Sequence, residues 1–253
     1  MARTGFFHHF GTFLLFSATI LLIIVCISAP VVRNISLLRV DLGPRSGSGD
    51  NGIFDDDENT SAYLTFGTFG YCAKGVMGVL NGDRCSKSQI GYSPARLVEN
   101  YGGLNQYSDA AISSTRSLTK AFVLHPIAAG LNFIAFMLAL GAGFVGSLLA
   151  SLVALLAFLT TAVACIIDFV AFAIVRNKVN DDDRSSIKAS YGSAAWCLLA
   201  AAICSLLGSA VVFLTCCSGR LRKRREARHG PVVKEGAPID GYGTPVQRRR
   251  RWF

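Results

Sequence analysis

Residues 148–175 read LLASLVALLAFLTTAVACIIDFVAFAIV, twenty-eight residues interrupted by a single charge, Asp168. A helix needs about 20 mostly apolar residues to cross the hydrocarbon core of a bilayer. Strands and soluble core helices rarely run so long without polar relief. Three further stretches have the same character. Phe10 to Val32 is 23 residues without a charge, Ala121 to Gly143 is 23 with one histidine, and Tyr191 to Cys217 is 27 and uncharged. Together the four make up 101 of 253 residues. They predict an all-α membrane protein built as a bundle of four transmembrane helices.

The rest of the composition agrees. Hydrophobic residues are 51% of the chain and charged residues 16%, against about 25% charged in a typical soluble domain. Such a chain cannot wrap a water-soluble core in charge, which excludes disordered and collagenous classes and argues against a soluble enzyme. The first apolar stretch reads as an uncleaved signal-anchor. It is longer than a signal-peptide h-region of about 7–15 residues, and Pro30 follows the small Ser28 and Ala29.

The charges set an orientation. The net charge is +9, and residues 218–253 hold eleven Lys/Arg against three acids, a net of +8. By the positive-inside rule this tail is cytoplasmic. Four spans then place the N-terminus (1–9) in the cytoplasm as well. The expected layout is TM1 at 10–32, extracellular loop 1 at 33–120 and TM2 at 121–143. A cytoplasmic turn at 144–147, TM3 at 148–175, extracellular loop 2 at 176–190, TM4 at 191–217 and the basic tail at 218–253 complete it.

Loop 1 carries nine acids and nine bases. Its acidic run Asp55-Asp56-Asp57-Glu58 lacks the alternating ligand spacing of a calcium loop and reads as a solvated patch. Ala62 to Cys72 reads as a strand, and Asn81-Gly82 as a hairpin turn. Cys72 and Cys85 flank that turn and read as a disulfide in an oxidising exterior. Closing so short a loop is worth about 3 kcal/mol by chain entropy. Asn34-Ile35-Ser36 and Asn59-Thr60-Ser61 are glycosylation sequons, Asn59 being the better placed. Cys216 and Cys217 end the fourth span and stand as either acylation sites or plain thiols. Arg220, Arg222, Lys223, Arg224 and Arg225 follow directly, a juxtamembrane cluster suited to anionic inner-leaflet lipids rather than to nucleic acid.

Inside the spans, small residues mark helix contacts, within the bundle or with other membrane proteins or copies of the chain. Ala200, Cys204 and Gly208 recur at four-residue spacing, and Ala150, Ala154, Gly130 and Asn132 lie on other spans. Ionisable residues within a span are functional candidates. Asp168 lies about 10 Å and His125 about 6 Å from the outer ends of their helices, at 1.5 Å per residue. They form a candidate intramembrane pair whose alternative is no contact. No catalytic triad, metal-ligand pattern or cofactor motif occurs, so no enzyme, metal or cofactor is expected.

Several short motifs then fall into order. Ser28-Ala29-Pro30 ends the first span, and Phe69-Gly70-Tyr71-Cys72 precedes Cys85-Ser86-Lys87 and Ile90-Gly91-Tyr92. His125-Pro126 opens the second span and Ile167-Asp168-Phe169 sits in the third. In this order, over residues 10–217, the chain resembles the fungal Sur-seven/PalI (Rim-nine-like) tetraspan family, itself claudin-like in outline. The resemblance implies a non-catalytic plasma-membrane protein with a disulfide-stapled, β-rich outer loop. It implies one of two roles: an organiser of cortical membrane domains (eisosomes), or an accessory of ambient alkaline-pH sensing. A small transporter is a third class, and it lacks the broken helix pair expected there.

Overall fold

The computed structural model describes residues 3–44, 61–75, 84–102, 107–141, 144–181 and 187–228, with side chains for 9–43, 62–75, 84–101, 107–141, 148–181 and 187–215. The chain opens with helix α1, Arg3–Cys26. Strands β1 (Leu38–Pro44), β2 (Ser61–Gly67), β3 (Gly70–Lys74) and β4 (Arg84–Cys85) follow, then helices α2 (Pro94–Gly102) and α3 (Asp109–Lys120). A 3-10 turn, Ala121–Val123, joins α3 to α4 (Leu124–Leu140). Helix α5 (Phe144–Asn180), strand β5 (Lys188–Tyr191) and helix α6 (Ser193–Arg228) complete the order.

Among the described residues, four helical stretches are long and apolar enough to cross a membrane: His9–Cys26, Asp109–Leu140, Leu148–Asn180 and Ser193–Thr215. The fold is a four-span bundle carrying a small disulfide-linked sheet in its loop region. Some elements depart from the sequence reading. Residues 144–147 are the first turn of α5 rather than a free turn. That helix runs to Asn180, and its 37 residues, at 1.5 Å each, measure about 55 Å. It therefore outruns a hydrocarbon core of about 30 Å. Residues 176–180, placed in the second outer loop, are helical for the same reason. Ala62–Cys72 is two strands, because the chain reverses at Thr68-Phe69. The Asn81-Gly82 turn, Asp55 to Glu58 and Asn59 lie outside the described residues.

The five strands form one antiparallel sheet in the order β4-β3-β2-β1-β5. The register pairs Leu38 with Phe66 and Tyr191, and Val40 with Leu64 and Ala189. Period-two alternation sends Leu38, Val40, Leu64 and Phe66 to one face, where all four are buried, and leaves Arg39 and Lys188 on the other. The buried face rests on the ends of the helices. Leu22, Val25, Phe122, Phe172 and Leu198 share its core. Each such large side chain, fully withdrawn from water, contributes about 1.5–3 kcal/mol. Asn180 at the end of α5 extends the sheet by proxy: its amide donates to Ala189 O at 3.1 Å, and Ala189 N–H donates to its Oδ1 at 2.8 Å.

Lower in the bundle the packing is close and small. Leu15, Ala135, Ala150, Ala154 and Val212 form a second core. Gly208 lies against Leu15, and Gly11 against Val211 and Val212. Ala201, Ser205 and Ser209 are buried as well. Ala201, Ser205, Gly208 and Ser209 on α6 therefore serve contacts within the bundle, whereas Ala200 and Cys204 are only half-buried. Helices in lipid lack a hydrophobic drive toward each other, and this kind of approach replaces it.

The sheet and α1 meet backbone to backbone. A Cβ on Gly67 would collide with the main-chain nitrogen, carbon and oxygen of Ala29. Gly67→Ala is therefore expected to destabilise the protein by about 3 kcal/mol or more, since neither backbone can yield. Gly130, with nothing within 4 Å of its Cβ position, is the control. There an alanine should be neutral or stabilising by up to about 1 kcal/mol. Thermal unfolding in lipid nanodiscs reads both, and equal effects would remove the steric account.

Candidate functional site

The motifs scattered along the sequence converge where the sheet meets the helix ends. Thr68 N–H donates to Ser28 Oγ at 3.0 Å, and Thr68 Oγ1 donates to Val25 O at 2.8 Å. The Ser28 hydroxyl is thus left to donate to Thr68 Oγ1, 3.2 Å away. The Val25 carbonyl, at the end of α1, thus accepts from the Thr68 hydroxyl as well as from Ser28 N–H at 3.2 Å. Gly70 sits on Pro30, whose ring lies 3.1 Å from the glycine's Cβ position, and the Ser86 hydroxyl blocks the same space. Cys72 is disulfide-bonded to Cys85, its cross-strand neighbour. Phe69 is half-buried in the turn. Tyr71 packs toward Tyr92 and Phe66, at ring-centre distances of 6.1 and 6.5 Å. The Phe-Gly-Tyr-Cys piece thus combines a turn, a close approach, an aromatic contact and a covalent staple.

Tyr92 is the centre of this junction, and the sequence reading gave it no role. Its ring is stacked with Phe66 at 6.3 Å. Its hydroxyl donates to Gly67 O, and its own carbonyl accepts from the Thr119 hydroxyl at the end of α3. Burial, and after it the charge of Asp168, hold its phenol well above the usual tyrosine range. Through this one side chain the loop bonds the strand end that rests on Ala29 and lies within the electrostatic reach of the third span's acid.

Below Tyr92, His125 on α4 and Asp168 on α5 are in contact. His125 is fully buried and Asp168 nearly so. His125 Nδ1 lies 2.9 Å from Phe122 O, and Nε2 lies 3.1 Å from Asp168 Oδ2. A carbonyl can only accept, so Nδ1 carries a hydrogen. The other contact then needs its own proton, either on Nε2 facing a carboxylate or on Asp168 facing a neutral ring. In both cases the pair holds two protons and no net charge, the state an apolar interior favours. Asp168 Oδ1 is buried and has no hydrogen-bond partner among the described residues. One ring of Phe122 closes the histidine edge-on at 5.7 Å, and Phe172 packs behind it.

A second polar layer lies seven residues along each helix. Asn132 Nδ2 donates to Thr161 Oγ1 at 3.1 Å and to Ala128 O at 2.9 Å, and Ser205 Oγ donates to Asn132 Oδ1 at 2.9 Å. Asn132 thus joins α4, α5 and α6. Its seven-residue spacing from His125, mirrored by Thr161 and Asp168, was a signal readable in the sequence.

The other candidates are placed apart. Asn34 is exposed in the turn after α1, and Asn59 lies outside the described residues. Cys216, Cys217, Arg220, Arg222, Lys223, Arg224 and Arg225 fall on α6, beyond its described side chains. No cluster of three or more metal-ligating side chains occurs among the described residues.

Residues 7–208 match the SUR7/PalI family. The chain belongs to that family. It is 31% identical over 128 residues to "pH-response regulator protein palI/RIM9" of Emericella nidulans, covering 51% of this chain and 18% of that one. It is 28% identical over 127 residues to "pH-response regulator protein palI/prr-5" of Neurospora crassa, covering 50% and 14%. It is 39% identical over 75 residues to "Uncharacterized membrane protein TOS7" of Saccharomyces cerevisiae, covering 29% and 11%. The matches thus take in less than a fifth of each relative's length. The family, four apolar helices and the disulfide make this SUR7/PalI protein a multi-pass membrane protein.

Two measurements test the junction. Asp168→Asn keeps a donor for a neutral His125 Nε2 and should unfold close to the parent. Asp168→Leu removes the partner and should lose about 1–2 kcal/mol in nanodiscs. Equal behaviour of the two variants would deny the contact a role in stability. Tyr92 gives a pH signature. Its phenol titrates higher folded than unfolded, where it sits at about 10. Its stabilising contribution is therefore complete below about pH 10 and is lost as pH climbs toward the folded value. Tyr92→Phe should cost about 1 kcal/mol at neutral pH through the bond to Gly67. It should also flatten the fall in melting temperature above pH 10. An unchanged alkaline fall would show that Tyr92 does not govern it.

Proposed function

We propose that this chain is a non-enzymatic accessory at the fungal plasma membrane that takes part in the response to ambient alkaline pH. The carrying observation is the His125–Asp168 pair, buried between two spans, whose carboxylate interacts electrostatically with Tyr92 of the loop. Two relatives named as pH-response regulators support the same reading. The pair is neutral only while it holds both protons. Removing one leaves an uncompensated negative charge in an apolar core, a change that costs several kcal/mol and loosens the contact between α4 and α5. Among the described residues, the ionisable groups interacting with Asp168 are His125 on α4, Tyr92 from the loop and Cys165 on α5 itself. Tyr92 then passes a change at Asp168 to Gly67, Phe66 and the sheet.

In this reading both termini face the cytoplasm and the stapled loop faces outward, where Asn34 and Asn59 are open to glycosylation. Arg220, Arg222, Lys223, Arg224 and Arg225 contact anionic inner-leaflet lipids, with Cys216 and Cys217 as acylation sites beside them. Lateral partners are other membrane proteins or further copies of the chain.

Expression in a fungus lacking its palI/RIM9-type gene tests the proposal. The parent chain should restore growth at alkaline pH. Asp168→Leu and His125→Phe should reach the plasma membrane and fail to restore it. Static cortical patches formed equally by all three, with no growth rescue by any, would favour the membrane-domain organiser instead.

A further inference from the structure

The lipid-facing surface of the spans continues onto the loop at one point. On α1, Phe13, Phe16, Ile20 and Ile23, and Ile27 directly after it, are exposed at alternating three- and four-residue spacing, which is one face of a helix. Val31, just past the helix, is 66% exposed. From Phe10 to Cys26 α1 rises about 24 Å at helical pitch, and the turn that carries Val31 follows where a hydrocarbon core of about 30 Å comes to its end. Val31 therefore stands at the edge of the bilayer when α1 spans it.

Ile90 lies beside that edge. It is 55% exposed and follows three exposed polar residues, Lys87, Ser88 and Gln89. Gln89 N–H donates to Phe69 O at 2.8 Å, and the next residue, Gly70, packs on Pro30. On its other side, the Cβ position of Gly91 is 2.7 Å from Lys120 Cγ. Lys120 leads into the exposed Val123 and Ile127 of the α4 segment. Ile90 thus hangs between the ends of two neighbouring lipid-facing stripes, with the exposed cations Lys87 and Lys120 next to it.

We propose that Ile90 is a membrane-seating residue. Its side chain enters the boundary between acyl chains and headgroups, together with Val31 and Val123, while Lys87 and Lys120 reach lipid phosphates. Continuity with the lipid-facing stripes of α1 and α4 selects lipid as the occupant over a protein partner. An aliphatic tip flanked by long cationic side chains is the chemistry that suits this depth. The seat holds the sheet down against the bilayer surface, so that the polar face bearing Arg39 and Lys188 points away from it.

The test uses the full chain with Trp196→Phe and Trp252→Phe, reconstituted in phosphatidylcholine nanodiscs. Ile90→Trp should emit at blue-shifted wavelength. It should lose at least half its emission when the acyl chains carry bromines near the glycerol end, and less when the bromines sit near the methyl end. Lys188→Trp, on the polar face of the sheet, should stay unquenched. An intact Cys72–Cys85 disulfide on non-reducing gels checks the fold. Should Ile90→Trp fail that check, Val31→Trp reads the same boundary. Solvent-like, unquenched emission from a folded Ile90→Trp or Val31→Trp chain would overturn the proposal. So would protection from bromine that appears only on self-association, which would make the surface a protein contact.

Discussion

The turn between β2 and β3 lies directly on the backbone of Ala29, and the rest of the structure is arranged around that contact. Only a glycine at 67 leaves room for it. The approach brings Thr68 within reach of Ser28 and of the Val25 carbonyl. Those bonds join the Ser28 N–H in satisfying the Val25 carbonyl, at the level where the chain leaves the span. Ser36 and Leu37 repeat the device toward α6. Leu37 N–H donates to Phe66 O at 2.7 Å, and Ala194 N–H donates to Ser36 O at 2.9 Å.

A sheet held this way cannot move independently of the helices beneath it. Its buried face and the helix ends form one core, from Leu38 and Phe66 to Phe122, Phe172 and Leu198. The disulfide pins β4 to β3 but lies off this core; the weld to the spans is noncovalent. Tyr92 binds the sheet and the end of α3 together. The His125–Asp168 pair and the outer loop are therefore neighbours in one packed unit, with Phe122 beside the histidine and in the same core as Leu38 and Phe66.

The sequence was most legible where the physics is one-dimensional. A run of apolar residues long enough for a bilayer needs no partner to be recognised, and the four spans were read from length and charge alone. The Cys72–Cys85 pairing was legible because two cysteines stood apart from all the rest. The single strand read at Ala62–Cys72 became a hairpin. Thr68-Phe69 carries no standard turn residue, and the reversal falls between the paired Gly67 and Gly70, held against Ser28 and the Val25 carbonyl. The extra turns of α5, at 144–147 and 176–180, were missed because hydropathy marks where lipid ends and not where a helix ends.

By itself the sequence determined the membrane class, the number of spans, the concentration of positive charge behind the last one and the family. All of these follow from composition and order along the chain. Tertiary structure alone decided what the short motifs are for. Ser28-Ala29-Pro30, Phe69-Gly70-Tyr71-Cys72 and Ile90-Gly91-Tyr92 are separated by up to 60 residues, yet they meet at one junction. Spacing suggested that His125 and Asp168 lie at similar depth. Whether they touch depends on how α4 and α5 are rotated against each other, and packing sets that angle.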